Sequence, residues 1–180
     1  MSTSLPSVTL ETPRLTLRPH RVDDFAVSAA MWADPVVVRH IGGKPFGPEA
    51  SWGRVLRYIG HWVALGYGFW AIVEKASGRV IGEVGFADFK RALEPGFGDT
   101  PEMGWVLEPS SHGKGYASEA IRAAMAWGAQ HFGATQRFVC MIDPGNEPSL
   151  RVAARCGFVE TARTLYMGEP IVLLERRPPA

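Results

Sequence analysis

The group of residues best suited to holding an anion runs from His112 to Ala117, in the order His-Gly-Lys-Gly-Tyr-Ala. Gly113 and Gly115 let another molecule approach the backbone closely and permit backbone angles that side chains resist. Beyond them, Ala117, Ala120, Ile121, Ala124 and Gly128 recur at helical spacing. A helix opening at this point presents N–H groups without partners and the positive end of its dipole. A phosphate or pyrophosphate is the natural occupant. A plain glycine turn ahead of a helix would carry the same residues. Two other phosphate loops are excluded by spacing. The P-loop needs Ser or Thr after Gly-Lys, where Gly115 stands, and the dinucleotide fingerprint needs a third glycine, where Ser118 stands.

The elements that must hold this loop can be read on either side of it. Met103, Trp105 and Leu107 alternate with Glu102, Gly104 and Val106, which suits a strand, and Pro109 to Ser111 end it. Gly133 follows the helix at the position of a C-terminal cap. A first strand is expected around Leu15 and Leu17, and Asp23 or Asp24 is placed to cap a short helix through Met31. After a loop from His40 to Pro48, a helix is expected with Trp52, Val55, Ile59 and Trp62 or Val63 on one face. Further strands are expected at 69–74, 80–86, 137–142, 159–166 and 171–176. Asn146 should cap a helix reaching Cys156, with Leu150, Ala153 and Ala154 toward the core. The pattern is a mixed α/β sandwich with helices on both faces of one sheet.

These blocks resemble the acetyl-CoA-binding motif of the GNAT N-acetyltransferases, closest to the branch that includes the ribosomal-protein N-terminal acetyltransferases. That motif runs Arg/Gln-x-x-Gly-x-Gly/Ala; His112, Gly115 and Ala117 stand on its three fixed positions, with His112 a departure. The block Asn146-Glu147-Pro148-Ser149 followed by Gly157-Phe158, and the opening Glu11 to Arg18, also look like that branch. The resemblance covers nearly the whole chain, and it implies one domain over residues 9–177. It implies a mostly antiparallel sheet of about seven strands that splays between the fourth and fifth. Acetyl-CoA would enter that gap as acetyl donor. Trp105, Val106, Leu107, His112, Gly113, Lys114, Gly115, Tyr116, Ala117, Asn146 and Ser149 would line its site.

Acetyl transfer to an amine is chiefly a matter of proximity and orientation, with a base for the ammonium and a backbone N–H for the oxyanion. By the resemblance, Glu102 is the base, directly or through water, and Ser149 protonates the leaving thiolate. Tyr166 is a second candidate acid. Each has a structural alternative: a salt-bridged carboxylate for Glu102, an ordinary first-turn residue for Ser149 and a packing residue for Tyr166. The acceptor is a primary amine, on a protein N-terminus or a small molecule. A non-catalytic acyl-CoA-binding or sensing module is the competing reading, and a nucleotide-binding protein a weaker one.

Composition bounds the rest. At 180 residues with 46% hydrophobic content, the chain is long enough for one well-buried core. A net charge of +1 gives no footprint for nucleic acid. No run is long and apolar enough for a membrane span, and the first ten residues do not read as a signal peptide. Cys140 and Cys156 make no disulfide framework, so a reduced cytoplasmic setting is the simplest expectation. No cluster has metal-ligand spacing, and no metal is expected. A homodimer is compatible with the chain but not read from it.

Overall fold

The computed structural model describes residues 8–178; residues 179–180 and all but the last residue of the stretch 1–8, which the sequence marks as frayed, lie outside the described residues. The elements are β1 (Leu10–Glu11), β2 (Leu15–Pro19), α1 (Phe25–Trp32), α2 (Pro35–Val38), α3 (Pro48–Leu65), β3 (Phe69–Glu74) and β4 (Val80–Ala87). After them come β5 (Glu102–Leu107), α4 (Tyr116–His131), β6 (Phe138–Ile142), α5 (Glu147–Arg155), β7 (Val159–Tyr166) and β8 (Glu169–Arg176). They form one sheet of eight strands in the order β1-β2-β3-β4-β5-β6-β8-β7. The eighth, beyond the number expected, is β1, a two-residue strand that pairs Leu10 with Leu17. Such a short edge strand leaves no periodic trace in a sequence.

All neighbouring strands are antiparallel except β5 and β6, which are parallel and share a single paired position, Glu102 with Val139. The splay lies where the resemblance implied. Period-two alternation then divides the side chains. Trp70, Ile72, Val84, Phe86, Met103 and Leu107 face a core completed by Ala120, Ile121 and Ala124 of α4. The opposite face carries Phe69, Ala87 and Val106 beneath α1, α2 and α3.

Three local expectations need correction. In α3 the buried face is Ser51, Val55, Tyr58 and Trp62, whereas Trp52 is 38% and Val63 64% exposed. The helix enters one turn before Trp52, at Pro48, so the stripe is phased from Ser51. In α5, Ala153 is buried but Ala154 is exposed, and Val152 packs on the core instead. Asp24 does not cap α1 with its side chain. Its carboxylate instead takes both Arg18 Nη groups, at 2.8 and 2.6 Å, and the Arg21 N–H.

Candidate active site

Along β5, Glu102, Gly104 and Val106 direct their backbone groups to β4, a ladder that continues with Glu108 N–H donating to the Ile81 carbonyl at 2.9 Å. The alternate residues face β6. There the Pro101 carbonyl accepts from Val139 N–H at 3.3 Å, and the pairing ends. The N–H groups of Trp105 and Leu107 therefore open into the wedge rather than onto a neighbouring strand.

The loop at the mouth of the wedge is built around two left-handed glycines, Gly113 with φ +75° and Gly115 with φ +80°. Gly115 is also the N-cap of α4, so the strained backbone delivers the chain straight into the first helical turn. Arg14, from the turn before β2, clamps this loop. It donates from Nη1 to the Lys114 carbonyl at 2.9 Å, pairs with Glu119 at 2.6 Å and lies 4.6 Å over the Tyr116 ring. His112 folds back and donates from Nε2 to the Leu107 carbonyl at 3.0 Å, which ties the loop to the strand it leaves. Tyr116 packs under the loop, its hydroxyl donating to Glu74 at 2.6 Å.

Trp105, Val106 and Leu107 of β5, His112, Gly113, Gly115, Tyr116 and Ala117 of the loop, and Asn146 and Ser149 of α5 all border one cavity of about 530 Å³. Lys114 does not border it; its ammonium lies 6.0 Å from the Tyr116 ring centre. Asn146 caps α5 by accepting from Ser149 N–H at 3.2 Å, which turns the first turn of α5 toward the cavity. Arg39, Arg151 and Arg155 give the cavity a basic wall.

Glu102 stands apart from this cavity, at the closed end of the wedge. It is 7% exposed, and Arg91 holds it through an Nε–H donated to Oε2 at 2.6 Å. Burial raises its pKa above the ordinary carboxylate value, and the Arg91 hydrogen bond and charge offset only part of that rise. The same Arg91 donates from Nη1 to the Tyr166 hydroxyl at 3.1 Å. The wedge thus divides the sequence candidates: Ser149 lies with the cavity, while Glu102 and Tyr166 are joined through Arg91 at the other end.

Three side chains escaped the sequence reading. Arg14 lies in the Glu11 to Arg18 strand block, and Arg91 lies in the connection between β4 and β5. Neither position carries a periodic or motif signal. The third is Glu83 of β4, fully buried across from Val106, with Trp32 Nε1–H donating to its Oε1 and His20 Nε2 at 3.5 Å from Oε2. Burial pushes the Glu83 pKa up to about 7 and draws His20 down to about 4. A charged residue in an otherwise apolar strand, Val-Ile-Gly-Glu-Val-Gly-Phe-Ala, was the available signal.

A mixed sheet parted between two parallel strands, with a glycine-capped helix start at the opening, leaves a cleft suited to an extended ligand that carries an anionic group. Residues 14–159 match the model of the acetyltransferase (GNAT) domain. The chain belongs to the GNAT acetyltransferase family, whose members transfer acetyl groups and generally draw them from acetyl-CoA. An uncharacterized N-acetyltransferase, p20, from Bacillus licheniformis is 29% identical over 151 residues, which cover 83% of this chain and 82% of that one. Among solved structures, one described as a GnaT-family acetyltransferase from Bordetella pertussis superimposes with a TM-score of 0.82 at 32% identity. That match covers 94% of this chain and 99% of the other. A structure described as a ribosomal-protein-serine acetyltransferase from Vibrio cholerae reaches a TM-score of 0.75 at 20% identity, covering 97% of this chain and 100% of that one. At that identity the likeness is one of fold, and the ribosomal-protein branch is one neighbour among several.

Proposed function

We propose that the chain transfers an acetyl group from acetyl-CoA directly to a primary amine within a ternary complex. The observation that carries this reading is the single shared pair between β5 and β6, with the Gly113–Ala117 turn at the open end and Glu102 at the closed end. The residues fit the donor. A Cβ built at Gly113 meets nothing within 4 Å, so the backbone of the turn is open to a diphosphate. The free N–H groups of Trp105 and Leu107 suit the pantetheine arm and a developing oxyanion. The thioester supplies an activated acetyl group, and the protein contributes position.

Glu102 accepts the proton of the acceptor ammonium, directly or through one water, and its raised pKa makes it a stronger base than an ordinary carboxylate. Ser149 returns a proton to the departing thiolate from the cavity side. Residues 9–177 act as one catalytic domain in the cytoplasm, on a protein N-terminus or a small amine. No helix among the described residues is long and apolar enough to cross a membrane. A non-catalytic acyl-CoA-binding module would need no basic group at the closed end, and Glu102 favours the enzyme over it.

Free thiol release is the direct test, measured with acetyl-CoA and a panel of amines and peptides. Acceptor-dependent release that Glu102→Gln lowers by about a hundredfold, in the range of general-base catalysis, is the expected result. Tight acetyl-CoA binding with no acceptor-dependent release would leave the binding module instead.

A further inference from the structure

The face above Glu102 holds more positive charge than it balances. Arg57 of α3 and Arg91 both lie on the ring of Phe89, with guanidinium carbons 5.2 and 4.6 Å from its centre. The two charges are thus within about 10 Å of one another, close to one Debye length. One helical turn earlier, Arg54 lies 3.6 Å over the Trp32 ring and donates from Nη1 to the Tyr58 hydroxyl at 2.8 Å. Arg91 has Glu102 as its counter-ion, and the charge of Arg54 acts on Glu83. Arg57 forms no ion pair and its guanidinium donates no hydrogen bond among the described residues. Nη2 of Arg91 is likewise without a protein partner among them.

This group sits at the closed end of the wedge, where the acetyl-transfer reading puts the base and hence the acceptor. Glu102 anchors Arg91, and the Phe69 ring, stacked on Tyr58 at 4.6 Å, covers Gly104 so closely that a Cβ there would lie 2.8 Å from it. The coenzyme loop is at the opposite end of β5. Partial desolvation, together with the charges of Arg54 and Arg91, lowers the Arg57 pKa. A guanidinium without a carboxylate of its own, held on an aromatic ring beside a second guanidinium, forms a receptor for an oxyanion.

We propose that the acceptor is an amine that also carries a carboxylate or phosphate, which Arg57 binds beside Phe89 with Arg91 as the second charge. Carboxylate and phosphate share the planar or trigonal array of oxygens that a guanidinium fork recognises. Arg57 is then a specificity-determining residue, and Arg91 links acceptor recognition to the base. The inference rests on the acetyl-transfer reading.

The test uses the full chain with acetyl-CoA and matched acceptors: phenylalanine against phenylalaninamide, and phosphoethanolamine against ethanolamine. The first pair reports a carboxylate and the second a phosphate. At low salt the anionic member of at least one pair is expected to have a kcat/KM about tenfold higher, the value of one charge-assisted contact. That preference should shrink at 0.5 M salt. Arg57→Gln should reduce it to near unity, and Arg57→Lys should restore part of it. Affinity for acetyl-CoA reports that each variant is folded. Where a pair is not turned over, its binding to the acetyl-CoA-loaded protein by calorimetry is read in the same way. Equal or better use of the neutral amines, a preference that Arg57→Gln leaves intact, or no binding by any member overturns the inference while acetyl-CoA binding stands. Failure of acetyl-CoA itself to bind removes the acetyl-transfer reading and this inference with it.

Discussion

Glu83 offers the sharpest quantitative prediction. It is a fully buried carboxylate whose pKa rises from 4.5 to about 7 on folding, with burial the leading cause and the Arg54 charge opposing it. The folded state therefore binds the Glu83 proton more tightly, and stability falls as pH rises from 4.5 to about 7. His20 has the opposite sign. Burial lowers its pKa from 6.5 to about 4, so the unfolded chain binds more protons in that window and stability falls as pH drops. Between pH 4.5 and 6.5 the two slopes oppose one another. Glu83→Gln keeps the carbonyl that accepts from Trp32 Nε1–H, turns an NH₂ toward His20 and removes the titration. At 1.36 kcal/mol for each tenfold change in proton affinity, the variant should be more stable than the parent by about 3 kcal/mol at pH 8 and about equal at pH 4.5. Its stability should also rise with pH between about 4 and 6.5, where the His20 slope is no longer opposed. Urea unfolding followed by tryptophan fluorescence at pH 4.5, 6.5 and 8 measures all three points. A variant less stable than the parent at pH 8, or two pH profiles that run parallel, would refute the assignment of a titrating carboxylate to this position.

Three further outcomes follow from the site. Arg91→Gln removes the hydrogen bond and charge that hold the Glu102 pKa down while leaving the burial that raises it, so the acid limb of the kcat/KM profile should move to higher pH; an unmoved limb would remove Glu102 from the base role. Gly115→Ala places a side chain at φ +80°, which should cost about 1–2 kcal/mol by urea unfolding. It should also weaken acetyl-CoA binding in calorimetry, because the loop must shift. Asn146→Ala removes the α5 cap and should destabilise by about 1 kcal/mol; a larger loss in acetyl-CoA affinity than in stability would add a direct contact with the coenzyme.

Much of this was legible in the chain because it depends on near neighbours in sequence. The alternation in Glu102–Leu107, the glycine pair at 113 and 115, the repeat through α4 and the Asn146 cap are all decided within a few residues, where backbone sterics and hydrogen bonding act. The residues of β5, the loop and α5 that border the cavity were expected there through the resemblance to the acetyltransferase motif and not through local pattern. Helix phase was less secure: the stripe of α3 depends on what lies beneath it, and Tyr58 rather than Trp52 found the sheet.

Only the tertiary structure decided which charges meet. Arg14 reaches the Gly113–Gly115 loop across about a hundred residues of chain, a distance that sets no local pattern. Arg91 finds Glu102 and Tyr166 because the β4–β5 connection folds back over the end of the sheet. Glu83 reads as one acidic residue in a strand until α1 brings Trp32 over it and removes water from both sides. Local order is set by torsions and nearest hydrogen bonds. The acidity of a carboxylate and the balance of a charged cleft are set by groups that meet only when the sheet and helices close together.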